Sequence, residues 1–365
     1  MIPMNSECET NILSALQKLY LRYGYSQYKM NKFEEYDLYA KNKDFLISDN
    51  IITFTDGNGK LLALKPDVTL SIVKNSKDDS FLKRVYYTEN VYRMTKGTRN
   101  YKEIMQVGLE CIGAMDSYTI SEVLDLACES LDQISSSTVL GVSHLGILSE
   151  FLLSIGLPLP EHESVFRLIG ERNLHELSAF LSSHEIEEDK VALLSELLSI
   201  RGGAEMLPRV TELLNDYVSE KTLGQFTDII SVLSEHQNLH LDFSIVDDIH
   251  YYNGFVFKGY AEGISTAVLS GGQYDKLMKK MERSTGAIGF AIYFDEIEKL
   301  MHAHPDYDVD ILLMYDDSCT LADLHHAIRE LSVKGRSVVV HRNIPDDLRY
   351  RSLYIMKNGK AVQHD

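Results

Sequence analysis

Apolar side chains recur at helical spacing over residues 9–23. Ile12, Leu13, Leu16, Leu19 and Tyr20 fall on one face, and Gly24 follows where a left-handed residue ends a helix. The period then shortens. Residues 25–29 have the texture of a short strand, and residues 32–39 form a mixed acidic and aromatic stretch. The clearest local signal lies in residues 51–64. Ile52, Phe54, Leu62 and Leu64 flank Asp56-Gly57-Asn58-Gly59, where glycine and asparagine supply the positive φ of a hairpin turn. Pro66 then ends the strand. Two β-branched and aromatic runs follow, residues 81–92 (with Val85, Tyr86, Tyr87, Val91 and Tyr92) and 104–112. They predict antiparallel strands joined by a polar tip at residues 95–101. Residues 118–134 predict a helix, 138–142 a strand, and 145–153 the start of another helix.

From about residue 158 to 237 the texture is Leu- and Glu-rich with helical periodicity, which predicts an all-helical insertion. Strand texture returns at residues 239–245 and again at 251–260. A tight turn is expected at Gly271-Gly272, and residues 284–294 are small and apolar. Residues 302–308 look like a linker, and residues 309–365 predict a small α/β unit with strands at 311–314 and 337–341 around a helix at 321–333. The regular βαβ alternation of a doubly wound sheet is absent before Val309, so the fold class is α+β. The expected division is a core of residues 1–305, carrying the insertion, and a C-terminal domain of residues 309–365.

The chain has 365 residues, 44% of them hydrophobic, which is ample for two buried cores. Formal charge is −18, from 36 Lys and Arg against 54 Asp and Glu. That balance argues against a general phosphate-backbone binder. Cys8, Cys111, Cys128 and Cys319 are scattered and none forms a C-x-x-C pair, so reduced thiols are expected instead of zinc or disulfides. Residues 1–10 lack the basic-then-apolar layout of a signal peptide, and no apolar run approaches the roughly 20 residues of a membrane span. The expectation is a cytoplasmic protein with no membrane partner.

There is no G-x-S-x-G, H-E-x-x-H or Walker A sequence, no residue is assigned to a metal, and no cofactor is expected. The chemistry concentrates on strand segments. Gln106 and Glu110 alternate about Gly108 and so share one sheet face. Asp67 and Thr69 follow Pro66, Arg93 stands before the polar tip, and Tyr251 and Tyr252 head another strand. Carboxylate, amide, guanidinium and phenols together suit a zwitterion, whose ammonium needs an anion and whose carboxylate needs a cation. The plainer alternative is a solvated sheet face with ordinary cross-strand pairs.

At these same residues the sequence resembles the histidyl-tRNA synthetase family. RVYYTENVYRMTKGTRNYKEIMQVGLECIG (residues 84–113) is similar to motif 2 of class II synthetases, and LALKPDVT (62–69) to the segment that contacts the amino group of histidine. DDIHYYNGFVF (247–257) resembles the histidine-specific strand. GGQYD (271–275) and GAIGFAIYFDEI (286–297) resemble the motif 3 region. The resemblance implies a class II synthetase-like antiparallel sheet flanked by helices. It also implies a histidine pocket of Asp67, Thr69, Arg93, Gln106, Glu110, Tyr251 and Tyr252. The departures fall on the nucleotide side. Asp247 and Glu296 stand where the family carries arginines, Thr95 where it carries a glutamate, and Gln273 replaces a further arginine. Adenylyl transfer relies on cationic stabilisation, so aminoacylation should be lost and no residue is assigned a catalytic role.

An amino-acid site kept beside a dismantled ATP site resembles the branch of this family that serves as the regulatory subunit of ATP phosphoribosyltransferase. VSHLGI (142–147) and IRGGAEML (200–207) are also similar to that branch. The resemblance implies a non-catalytic subunit needed for the first step of histidine biosynthesis and its feedback by histidine. Its partners would be a short-form catalytic subunit, a second copy of the chain through the synthetase-like core, and free histidine as effector, with no tRNA. An active histidyl-tRNA synthetase and a stand-alone histidine sensor remain the alternatives.

Overall fold

Leu16, Leu19 and Tyr20 are buried on one face of helix α1 (Ser6–Arg22), as their spacing predicts. Each fully buried side chain of this size contributes roughly 1.5–3 kcal/mol over leaving it in water. Tyr20 also shares a 3.0 Å hydrogen bond with Ser130, which fixes the helix against the body of the protein. The computed structural model describes residues 6–46, 50–77, 81–94, 100–246, 251–301, 307–333 and 336–364. Two compact units result, Thr10–Glu298 and Lys299–Asp365 with residues 1–9.

The larger unit continues with β1 (Ser26–Gln27), β2 (Phe33–Glu35), α2 (Tyr36–Ala40), β3 (Thr53–Thr55), β4 (Leu61–Leu64) and α3 (Thr69–Asn75). The hairpin forms at the expected place, with Thr55 opposite Leu61 and Gly59 at φ 80°. Strands β2, β4 and β3 make a three-stranded sheet that delivers the chain to Pro66 and α3. The aromatic runs form the long antiparallel pair β5 (Lys83–Met94) and β6 (Tyr101–Gly113). Then come α4 (Ser117–Asp132), capped by Asp116, β7 (Thr138–His144) and α5 (Leu145–Ser154), capped by His144. The predicted insertion is helical: α6 (His162–Gly170), α7 (Leu174–Ser183), α8 (Glu188–Ser199), α9 (Leu207–Leu214) and α10 (Glu220–Val232). Glu150 of α5 ties it to the core by accepting from Ser219 N at 2.8 Å and Thr222 Oγ1 at 2.6 Å.

The chain returns through β8 (Leu239–Leu241), β9 (Phe255–Ala261), β10 (Leu269–Gln273), α11 (Asp275–Lys280), β11 (Gly286–Tyr293) and α12 (Phe294–Met301). The resulting eight-stranded sheet has the order β1-β5-β6-β11-β10-β9-β7-β8. Its central pairs are antiparallel, and β1 and β8 add in parallel at the edges. Tyr20 of α1 packs on Tyr86 and Phe290, at centroid distances of 5.8 and 6.3 Å, so helices cover that sheet face. The opposite face is left for the site.

The smaller unit has β12 (Val309–Met314), α13 (Leu321–Leu331), β13 (Val338–His341), β14 (Tyr350–Lys357) and β15 (Lys360–His364). Its sheet runs β13-β12-β14-β15, and Ile311, Leu313, Leu324, Leu331 and Met356 form its core.

Several local expectations need correction. Gly271-Gly272 is the interior of β10, not a tight turn, because a Cβ at either glycine would collide with the Phe290 or Tyr252 side chain. Tyr251 and Tyr252 precede β9 instead of heading it. The Gln273 carboxamide accepts from Phe255 N at 2.8 Å, and regular pairing with β10 starts at Val256. That contact also satisfies the position where the family carries arginine. Strand texture at 239–245 yields only Leu239–Leu241, since Asp242 turns the chain by accepting from Ser244 N at 2.9 Å. Strands β14 and β15 had no clear sequence signal.

Candidate functional site

Neighbours across a sheet ladder project to the same face. Around the centre of the open face the register sets Glu110 beside Gly289, Gly108 beside Ala291 and Tyr87, and Gln106 beside Tyr293. Beyond β11, Gly289 faces Gly272 and Ala291 faces Ser270. Glycine, alanine and serine therefore occupy the middle of the face and larger polar side chains surround it. The missing side chains make a cavity of about 100 Å³.

All the residues expected from the sequence line this cavity: Asp67, Thr69, Arg93, Gln106, Glu110, Tyr251 and Tyr252. Asp67 and Thr69 arrive from the loop after β4 and the start of α3. Arg93, Gln106 and Glu110 come from the β5–β6 pair, and the tyrosines from the segment before β9. Glu110 is buried and doubly bonded. Thr69 Oγ1 donates to one carboxylate oxygen and Tyr274 Oη to the other, both at 2.6 Å. Burial pushes the Glu110 carboxyl up to about 8, the two donated bonds pull it back, and the charge of Asp67 adds to the rise.

Asp67 accepts from Leu70 N at 2.8 Å and lies 3.8 Å from the Arg93 guanidinium. Its carboxyl is also raised by burial, against the pull of Arg93 and of nearby backbone N–H groups. Arg93 is anchored by donating from Nε to Pro66 O at 2.7 Å. Burial raises the phenols of Tyr87, Tyr251 and Tyr274 well above their usual range, so they are neutral hydrogen-bonding groups here. Gln106 is buried, and its carboxamide has no hydrogen-bond partner among the described residues.

Tyr274, Tyr87, Ser270, Tyr293 and Gly289 also line the cavity and were not expected there. Tyr274 had a weak signal, since it closes the Gly271-Gly272-Gln273 run. Gly289 matters by absence: a Cβ there would overlap the Glu110 carboxylate. Glu296 does not line the cavity; Thr266 Oγ1 donates to its carboxylate. Asp247 and Thr95, and most of the tip at 95–101, lie outside the described residues. No group of His, Cys, Asp and Glu able to hold a metal occurs among the described residues, and no helix there is long and apolar enough to cross a membrane.

An antiparallel sheet with helices on one face and a polar hollow on the other defines a class II aminoacyl-tRNA synthetase-like fold. The chain belongs to the histidyl-tRNA synthetase family, whose profile matches residues 1–297. It is similar to an ATP phosphoribosyltransferase regulatory subunit from Oceanobacillus iheyensis, 26% identical over 91% of this chain and 84% of that one. It is also similar to a histidine–tRNA ligase from Methanocaldococcus jannaschii, 29% identical over 77% of this chain and 69% of that one. Among solved structures it resembles a chain of the ATP phosphoribosyl transferase (HisG:HisZ) complex from Thermotoga maritima. The TM-score is 0.62 at 20% identity, covering 80% of this chain and 98% of that one.

Proposed function

We propose that this chain is a non-catalytic regulatory subunit of an ATP phosphoribosyltransferase, and that it binds free histidine in the cavity described above. The observation that carries the reading is the charge of the cavity. Among the described lining residues Arg93 is the only cation, it is already beside Asp67, and Glu110 adds a second acid. A triphosphate in transfer needs several positive groups. An amino acid needs one anion for its ammonium and one cation for its carboxylate. Asp67 and Arg93 supply those, and Glu110 with its flanking hydroxyls offers donor and acceptor groups to an imidazole. Charged hydrogen bonds of this kind are worth roughly 1.5–3 kcal/mol each, so two or three sustain binding in the micromolar range after ordering costs.

The relatives support the choice of partner. Regulatory-subunit names recur among them, and one similar structure is a chain of a two-component phosphoribosyltransferase complex. The chain assembles with a short-form catalytic subunit, as a homodimer through its synthetase-like core, and does not act on tRNA. Histidine, by binding the inactive arrangement more tightly, turns the first step of its own synthesis down. A coupling of about 1–3 kcal/mol changes that balance by about 5–150-fold. The similarity to a histidine–tRNA ligase favours aminoacylation as the second reading. ATP–pyrophosphate exchange with histidine separates the two: the regulatory reading expects none, and exchange above background contradicts it. A histidine-binding chain that leaves a short-form phosphoribosyltransferase unaffected would instead be a stand-alone sensor.

A further inference from the structure

The cavity residue Gln106 is 2% exposed, and its carboxamide has no hydrogen-bond partner among the described residues. Directly opposite it in the β5–β6 ladder stands Glu89. Opposite residues in an antiparallel pair project to one face with Cβ atoms about 4.5–5.5 Å apart, so an unengaged Glu89 carboxylate would have the Gln106 amide within reach. Glu89 is engaged elsewhere. One oxygen accepts from Met30 N at 3.2 Å, and the other pairs with Lys65 Nζ. Lys65 is 1% exposed, an unusual place for a lysine and one that requires its partner. Its backbone is fixed as well. Lys65 N donates to Lys32 O at 3.2 Å, and Lys65 O accepts from Tyr92 N at 2.9 Å. Two residues later the same segment supplies Asp67.

We infer that Lys65 serves the pocket through Glu89: it draws that carboxylate away from Gln106 and so keeps the Gln106 carboxamide open to a polar group of the bound amino acid. The inference rests on the histidine-pocket reading above. Lys65 does not line the cavity, so it is a positioning residue. A buried carboxylate deprived of its cation takes the nearest available donor, and across the ladder that donor is Gln106.

The test is a cycle of variants of the full chain titrated calorimetrically with L-histidine. Lys65→Met and Gln106→Ala are each expected to weaken binding by about tenfold, the upper range for one neutral hydrogen bond. Lys65→Met combined with Gln106→Ala should bind no more weakly than Gln106→Ala alone, because Lys65 acts through that residue. A purely structural role predicts additive losses instead. Lys65→Met with Glu89→Leu removes the competing carboxylate and replaces a buried ion pair by apolar contact, an exchange that buried sites tolerate. It should bind within about threefold of wild type, the agreement expected when no coupled loss remains. Additive losses, wild-type affinity in Lys65→Met, or weak binding by the folded Lys65→Met/Glu89→Leu protein would overturn the inference. Should Lys65→Met fail to fold, this last variant decides the matter. Wild-type protein that takes up no histidine is a separate result, which removes the pocket reading and this inference together.

Discussion

Tyr274 donates its hydroxyl proton to Glu110 at 2.6 Å across a sequence separation of 164 residues. The contact joins the start of α11 to the middle of β6, and with Thr69 it leaves neither Glu110 oxygen unpartnered. Glu110→Ala removes the acceptor that orients both hydroxyls while leaving the sheet backbone untouched. Histidine affinity should fall by roughly 10- to 100-fold, the upper range for the loss of one or two neutral hydrogen bonds. The far-ultraviolet circular dichroism should be unchanged. Calorimetric affinity equal to wild type would count against the pocket assignment.

Glu110 also makes stability depend on pH in a definite direction. Its carboxyl is raised to about 8 in the folded protein against an ordinary 4.5, so between these values the folded state holds a proton that the unfolded chain has released. The contribution is complete below pH 4.5 and is lost as pH rises through about 8. Glu110→Gln, which carries no titrating proton, should lose less stability than wild type over that window. Urea midpoints measured at pH 5 and pH 8 on both proteins check this, and parallel slopes would refute it.

Gly289→Ala tests the floor of the cavity. A Cβ at this position overlaps the Glu110 carboxylate, so either that side chain or the strand must shift. Histidine binding is expected to fall at least as far as in Glu110→Ala. Loss of the Thr69–Glu110 and Tyr274–Glu110 contacts in a crystal structure of the variant would locate the cause. Wild-type affinity in a folded Gly289→Ala protein would show that the close approach is dispensable.

His144 has the opposite pH signature. Its Nδ1 accepts from Ile147 N at 3.1 Å, capping α5, and its ring packs edge-on against Phe255 at 4.7 Å. Burial lowers its pKa from 6.5 to about 4, with the nearby Glu150 charge opposing the shift. The unfolded chain therefore binds the proton first, and stability is lost as pH falls from 6.5 through about 4. His144→Asn keeps a capping acceptor. It should be less stable at pH 7 because ring packing is lost, yet show a shallower decline on acidification. An equally steep decline would remove His144 as the cause.

Much of the fold was legible because its signals are local. The hairpin at Asp56-Gly57-Asn58-Gly59, the aromatic strands β5 and β6, and the helical insertion each declare themselves by turn chemistry or periodicity. The alternation of Gln106 and Glu110 was enough to put both on one face. What the sequence hid was the neighbour across the ladder. Gly271 and Gly272 look like a turn until β11 is placed beside them; in the sheet Gly272 faces Gly289 on the open face and Gly271 faces Phe290 on the other. Tyr274 cannot be linked to Glu110, nor Lys65 to Glu89, without the register that brings their strands and loops together. Strands β14 and β15 were missed for another reason: both are largely exposed or half-buried, so neither shows a strong apolar alternation.

The most direct measurement is the rate of phosphoribosyl transfer by a short-form catalytic subunit, with and without this chain, as histidine is titrated. The account predicts that the rate depends on the chain and falls with histidine at concentrations that fill the Glu110 pocket, and that Glu110→Ala moves the histidine response to roughly 10- to 100-fold higher concentration while leaving assembly intact. A rate indifferent to both the chain and histidine would contradict it.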